Sequence, residues 1–271
     1  MSMSSSSVRP PAVAGLFYPG DPASLSRSVA QLLERAPAAA GAAPKALIAP
    51  HAGYIYSGPI AASAYALLAP VRDIVTRVVL LGPTHRVAIC GLALPGADRF
   101  VTPLGPVRID TTAREALRHL QQVIVSDEAH ALEHSLEVHL PFLQTVLDDF
   151  ELIPLAVGRA DAAEVAAVLD VLWGGPETLI VVSSDLSHYL SYREAQTVDQ
   201  RTTEAILALR TDIDHEQACG ATPVCGLALS ARRRGLKPQL LDLRSSGDTA
   251  GDKDRVVGYA AFAFYEEQAC S

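Results

Sequence analysis

Three of the eight histidines in this 271-residue sequence stand where side chains commonly do chemistry. His51 follows the apolar run KALIAP (45 to 50), His85 follows RVVLLGPT (77 to 84), and Asp185 and His188 follow TLIVVSS (178 to 184). If each run is a strand of an open α/β sheet, all four side chains lie beyond strand carboxyl ends, where loops converge on a crevice. A neutral imidazole offers one nitrogen to a metal and the other to a supporting partner, so histidines arriving from separate strands suit iron, zinc or copper. Capping a strand or satisfying a buried carbonyl is the plainer role for any one histidine. For the pair His51 and His85, the repetition of a proline-terminated strand followed by histidine favours metal ligands.

Two further stretches carry candidate chemistry. In HALEHSLEVHLPFL (130 to 143), a helix would put His130 with His134, and Glu133 with Glu137, on common faces. The order of residues is not that of a zinc-protease HExxH helix. A polar helix start with charge pairing is the equal alternative for His130 and Glu133, whereas His134, Glu137 and His139 run into an apolar segment and invite a functional role. In CGATPVCG (219 to 226), Cys219 precedes a helix expected to start at Thr222-Pro223, where the helix dipole would favour its thiolate. Cys225 reads as core, and the four cysteines, Cys90, Cys219, Cys225 and Cys270, have neither a disulfide nor a zinc-knuckle spacing.

The elements that must position these groups alternate along the chain. The runs 45 to 50, 77 to 83, 151 to 157, 178 to 184, 238 to 243 and 255 to 264 are near-continuous in apolar character, as strands buried on both faces are. Between them lie helical patterns at about 23 to 35, 59 to 69, 131 to 149, 161 to 173, 192 to 210 and 224 to 234, with a hairpin excursion at 90 to 110. This implies an α/β fold with a largely parallel or mixed sheet, in a single domain spanning 1 to 271. The low-complexity APAAAGAAP (36 to 44) joins helix to strand, and residues 1 to 8 read as a disordered leader.

A net charge of -8 and the absence of a basic cluster beyond Arg232, Arg233 and Arg234 argue against nucleic acid as a partner. No stretch reaches the roughly 18 consecutive apolar residues of a membrane span, and the serine-rich start is not a secretory signal. A soluble, cytoplasmic protein is the expectation.

The segments VRPPAVAGLFYPGDPASL, APHAGYIYSG, LLGPTHRV, EHSLEVHLPFLQ, VVSSDLSHY, ACGATPVCGL and VVGYAAFAF, in this order, resemble the Memo-like family, including the AmmeMemoRadiSam system protein B group. That family is similar to class III extradiol dioxygenases of the protocatechuate 4,5-dioxygenase β-subunit type, which use non-haem Fe(II). The resemblance implies a three-layer α/β/α fold with a mixed, largely parallel central sheet. It also implies His51, His85 and Cys219 as metal ligands, His188 as acid-base histidine, His134 as a histidine near the oxygen site, and Asp185 orienting His188 or the substrate. Where the dioxygenases have a glutamate this chain offers Cys219, a change of donor that would favour copper or zinc over Fe(II).

Three functions follow as expectations. The leading one is an iron-dependent oxidoreductase acting on a small molecule, with Tyr54, Tyr56, Glu137 and His139 near the substrate, although the tyrosines equally suit packing at a cleft edge. The second is a non-catalytic protein that binds a peptide or partner in the same cleft, as the association of animal Memo proteins with signalling and phosphopeptides implies. The third is zinc-dependent hydrolysis. The resemblance also implies a functional link to a radical-SAM protein and an AMMECR-type protein.

Overall fold

The computed structural model describes residues 7–37 and 42–267. Four strands run parallel in the order Glu151–Val157, Arg77–Pro83, Thr178–Ser183, Ala46–Ala49. Their carboxyl ends therefore share one edge of the sheet, the edge that carries His51, His85 and Asp185. Val256–Tyr265 pairs antiparallel with both Ala46–Ala49 and Lys237–Ser245, which makes the sheet mixed.

Successive strand residues serve opposite faces, and both faces are covered. Leu47, Val78, Leu80 and Val181 pack with residues of the helices Pro22–Arg35, Tyr54–Tyr65 and Leu140–Val146. Ile48, Val79, Leu81 and Val182 pack with residues of Ala162–Leu172, Tyr192–Leu207 and Ala221–Arg234. The near-continuous apolar character of the strands is the imprint of this double burial, and the architecture is three-layer α/β/α.

Several boundaries differ from expectation. The helix expected at 59 to 69 begins at Tyr54, because Gly53 O accepts the N–H groups of Tyr56 and Ser57, and Pro59 sits inside the helix rather than at its start. The helix expected over 131 to 149 is broken into Asp127–Ala131, a short 3-10 turn Glu137–His139, and Leu140–Val146. The expected leader falls outside the described residues over 1 to 6. Residues 7 and 8 are in place: Ser7 N–H donates to Asp98, and Val8 pairs with Arg99. Cys270 also lies outside the described residues, and Cys90, Cys219 and Cys225 are free thiols. Arg233 and Arg234 pair with Asp170 at the end of their helix. No described helix is long and apolar enough to cross a membrane.

The loop after Thr178–Ser183 is fastened from behind by Asp199, which is 3% exposed and accepts the Ser187 N–H at 3.0 Å. Burial raises the Asp199 carboxyl from 3.8 to about 6, against the opposing effect of that hydrogen bond. Because the folded state holds this proton more tightly than the unfolded chain does, stability falls as pH rises from about 3.8 to 6, and the penalty is fully present above that window. Asp199→Asn keeps an acceptor for Ser187 and removes the charge. Urea denaturation at pH 7.5 should show the variant more stable by about 1–3 kcal/mol, and the difference should vanish by about pH 3, below the unfolded-state value. A variant less stable than wild type at pH 7.5 would contradict this reading.

Candidate metal centre

His51, His85 and His134 each place a ring nitrogen within 4.8 Å of the others. Each ring is held by a different device, and in two of them the hydrogen-bond partners fix the tautomer.

Ser183, the last residue of its strand, sits behind His51. Its hydroxyl lies 2.6 Å from Ser135 O, and only the serine can donate across that contact. The hydroxyl oxygen then accepts from His51 Nδ1 at 2.6 Å and His139 Nε2 at 2.8 Å. His51 therefore carries its proton on Nδ1 and presents the lone pair of Nε2 to the cluster. His139, protonated on Nε2, uses Nδ1 to accept from the Tyr65 hydroxyl at 2.8 Å. Gly82 leaves room for this junction: a Cβ there would lie 2.9 Å from Ser135 Oγ and 3.1 Å from Ser183 Cβ.

Glu133 does the corresponding work for His85. Its carboxylate accepts from the His85 N–H at 2.5 Å, the His85 ring Nδ1 at 2.9 Å, the His134 N–H at 2.9 Å and the Ser135 N–H at 3.0 Å. Burial opposes its charge, but the hydrogen bonds from His85 and Ser135 outweigh burial and hold its pKa at about 2. His85 thus donates through Nδ1 and has Nε2 free. These four donors also account for the broken helix: the backbone around Glu133 is shaped to its own carboxylate. His134 stacks on His85 with ring centroids 4.7 Å apart, and its Nδ1 is buried without a hydrogen-bond partner. Burial lowers its pKa to about 4, with His85 and Arg86 adding to the shift against the opposing Glu133 charge. Burial likewise drives His51 well below its ordinary value. Three ring nitrogens gathered this closely, two of them on rings whose charged form burial disfavours, fit a metal ion.

Cys219 stands beside the cluster, its Sγ 3.4 Å from His51 Nε2, while the third converging ring belongs to His134. The helix after Cys219 begins at Ala221 with Gly220 at its cap, so Thr222 is not the cap; its hydroxyl meets His215 Nε2 at 3.1 Å instead. A Cβ on residue 220 would lie 2.5 Å from Ser183 O, so glycine is what lets this loop approach. Burial, with the Asp185 carboxylate, pushes the thiol up rather than down, so desolvation overrides the expected dipole effect.

Asp185 accepts the His51 N–H at 2.7 Å, its own N–H donates to Cys219 Sγ and its carbonyl accepts the Cys219 N–H, so it holds the loops of those residues, whereas the hydrogen-bond partner of His188 Nδ1 is Leu186 O. Burial raises it to about 7 despite the His51 hydrogen bond. His188 donates from Nδ1 to Leu186 O at 2.8 Å, which leaves Nε2 as the base, and burial lowers its pKa. It lines a cleft of about 750 Å³ together with His85, Leu190, Arg201 and Cys219. A second lobe of about 670 Å³ shares His85, His215 and Cys219 with the first.

Three residues expected near a substrate are taken up elsewhere. Glu137 is fully buried: it pairs with Arg9 at 2.5 Å and accepts from Ala12 N–H, Val13 N–H and the Tyr18 hydroxyl. It fastens the first strand, and removing either partner of such a buried pair costs about 3–5 kcal/mol. His139 is 1% exposed and lies behind Ser183. Tyr54 is buried, with its hydroxyl donating to Val138 O at 2.7 Å. Tyr56 is half-buried and packs against the core. His130 turns away from the cluster to Ala93 O, 2.9 Å from its Nε2. Sequence reasoning missed Ser183 and His215. Ser183 had a faint signal, a polar residue ending an apolar strand, but nothing distinguished it from Ser184.

An α/β sheet with imidazoles gathered at its carboxyl edge defines a candidate metalloprotein. A Memo-like protein family profile matches residues 9–263, and the chain belongs to that family. It is 36% identical to a MEMO1 family protein of Archaeoglobus fulgidus over 95% of this chain and 99% of the relative. It is 37% identical to one of Methanothermobacter thermautotrophicus over 93% and 99%, and 36% identical to one of Aquifex aeolicus over 95% and 99%. Among solved structures, an uncharacterized protein of Escherichia coli K12 shares the fold, with a TM-score of 0.53 and 13% identity over 80% of this chain and 98% of that one.

The tautomers are directly measurable. In long-range 1H–15N spectra of metal-free protein at pH 8, His51 and His85 should report Nδ1-H and His139 Nε2-H. Ser183→Ala should destabilise the fold by about 1–3 kcal/mol, because two ring N–H groups and Ser135 O lose their shared partner. An Nε2-H tautomer at His51 in wild type would overturn the assignment.

Proposed function

We propose that the three imidazoles hold a single Fe(II) ion and that the protein is an oxidoreductase acting on a small molecule in the adjoining cleft. The observation that carries this reading is the convergence of three imidazoles, two with their Nε2 lone pairs turned from Ser183 and Glu133, beside a cleft lined by His188. Iron held there would supply redox chemistry toward O2 and an electron-rich substrate. Cys219, next to His51 Nε2, is placed to add a thiolate once a cation offsets the burial that retains its proton.

The remaining work falls to the chain itself. His188 Nε2 takes a proton from a substrate hydroxyl and returns it later, and its lowered pKa keeps Nε2 unprotonated at neutral pH while Nδ1 retains its proton. Leu190 and Val198 give the cleft an apolar wall against which a substrate ring can lie. Asp185 keeps the loops bearing His51 and Cys219 in register.

Elemental analysis of anaerobically purified protein tests the ligand set. Wild type should carry near-stoichiometric iron, and His51→Ala and His85→Ala should carry almost none while still unfolding cooperatively. Full iron content in either variant would remove that residue from the site. Undiminished metal affinity in Cys219→Ser would remove the thiol, and a wild-type protein that fails to take up added Fe(II) would turn the reading to a binding protein.

A further inference from the structure

The second lobe of the cleft differs in charge from the molecule around it. The protein carries a net charge of -8, yet no Asp or Glu lines this lobe, whereas Arg86 and Arg159 both do. Among the described residues neither arginine forms an ion pair; the side-chain contact of Arg159 is from Nη2 to Cys90 Sγ at 3.3 Å. The Arg86 charge is felt at the cluster, where it helps lower the pKa of His134. The first lobe is of different character, with Arg201 accompanied by Asp214 and Glu216. Two arginines thus line one cavity whose lining holds no carboxylate to offset their charge. Their planar donor forks match the oxygens of a carboxylate or phosphate.

We propose that this lobe binds the carboxylate or phosphate group of a small anionic substrate between Arg86 and Arg159. Because the lobes meet at His85, His215 and Cys219, the rest of such a molecule extends past the cluster toward His188. This assignment deepens the oxidoreductase reading and rests on it for the word substrate, but the anion site itself needs no metal. A charged group fixed in one lobe would hold the reacting part of the molecule in the other, which turns binding energy into orientation.

The test uses the metal-free full chain at pH 8, where the lowered pKa values of His51, His134 and His188 keep those rings uncharged. Inorganic phosphate and benzoate are titrated while histidine ring resonances are followed, with neutral benzamide for comparison. Both anions should shift the His85 and His215 signals saturably, and benzamide should not. Affinity should fall at least tenfold in Arg86→Gln/Arg159→Gln, a loss of about 1.4 kcal/mol or more. It should persist in Arg72→Gln/Arg118→Gln, which removes the same charge from exposed sites. Unchanged affinity in the first double variant, equal losses in both, or loss on Arg201→Gln instead would overturn the proposal. So would the absence of saturable shifts up to about 50 mM, well beyond the millimolar range of weak specific binding. Saturable anion binding by a protein that refuses iron would uphold the anion site and reject the iron centre, so the two readings fail separately.

Discussion

The hydroxyl of Ser183 has one proton to give and two lone pairs to fill, and the geometry of the site depends on how these are spent. The proton goes to a backbone carbonyl that can only accept, so both lone pairs must take ring N–H groups. One of these rings, His51, is thereby turned so that its free nitrogen faces the cluster. The other, His139, is locked by Tyr65 deep in the packed layer. A polar junction this far from water is costly unless every member is satisfied. Here satisfaction fixes orientation, and a side chain that never reaches the cleft decides which atom of His51 does.

Two glutamates from one stretch of chain are buried for different ends. Glu133 gathers four N–H donors from His85, His134 and Ser135, and stays ionised beside two imidazoles. Glu137 gathers Arg9, two backbone N–H groups and a tyrosine hydroxyl, and ties the amino-terminal strand to the body of the fold. A regular helix would have supported neither carboxylate in this way. The helix is interrupted because charge-assisted hydrogen bonds to buried carboxylates are worth more than the propensity of a few residues to remain helical.

Electrostatics sorts the groups around the cleft. Burial keeps His51, His134 and His188 neutral, raises Asp185 and retains the Cys219 proton. The second lobe supplies Arg86 and Arg159, neither of which forms an ion pair among the described residues. A lobe lined by arginines, next to rings of His51 and His134 whose charged form burial disfavours, would favour a ligand whose charge lies at one end.

The sequence by itself determined the layered α/β architecture, because doubly buried strands demand unbroken runs of Val, Ile and Leu, and those runs are visible at 45 to 50, 77 to 83, 151 to 157 and 178 to 184. It also placed His51, His85, Asp185 and His188 at one edge, since a parallel sheet delivers whatever follows its strands to a common side. Only the tertiary structure decided that His134 joins His51 and His85, that Glu137 and His139 serve the interior, and that Asp185 braces His51 and Cys219 instead of His188. Those outcomes turn on hydrogen bonds between residues dozens to more than a hundred positions apart, such as His51 with Ser183 and Arg9 with Glu137. Local pattern records the period of burial; it does not record which distant donor will reach a given lone pair.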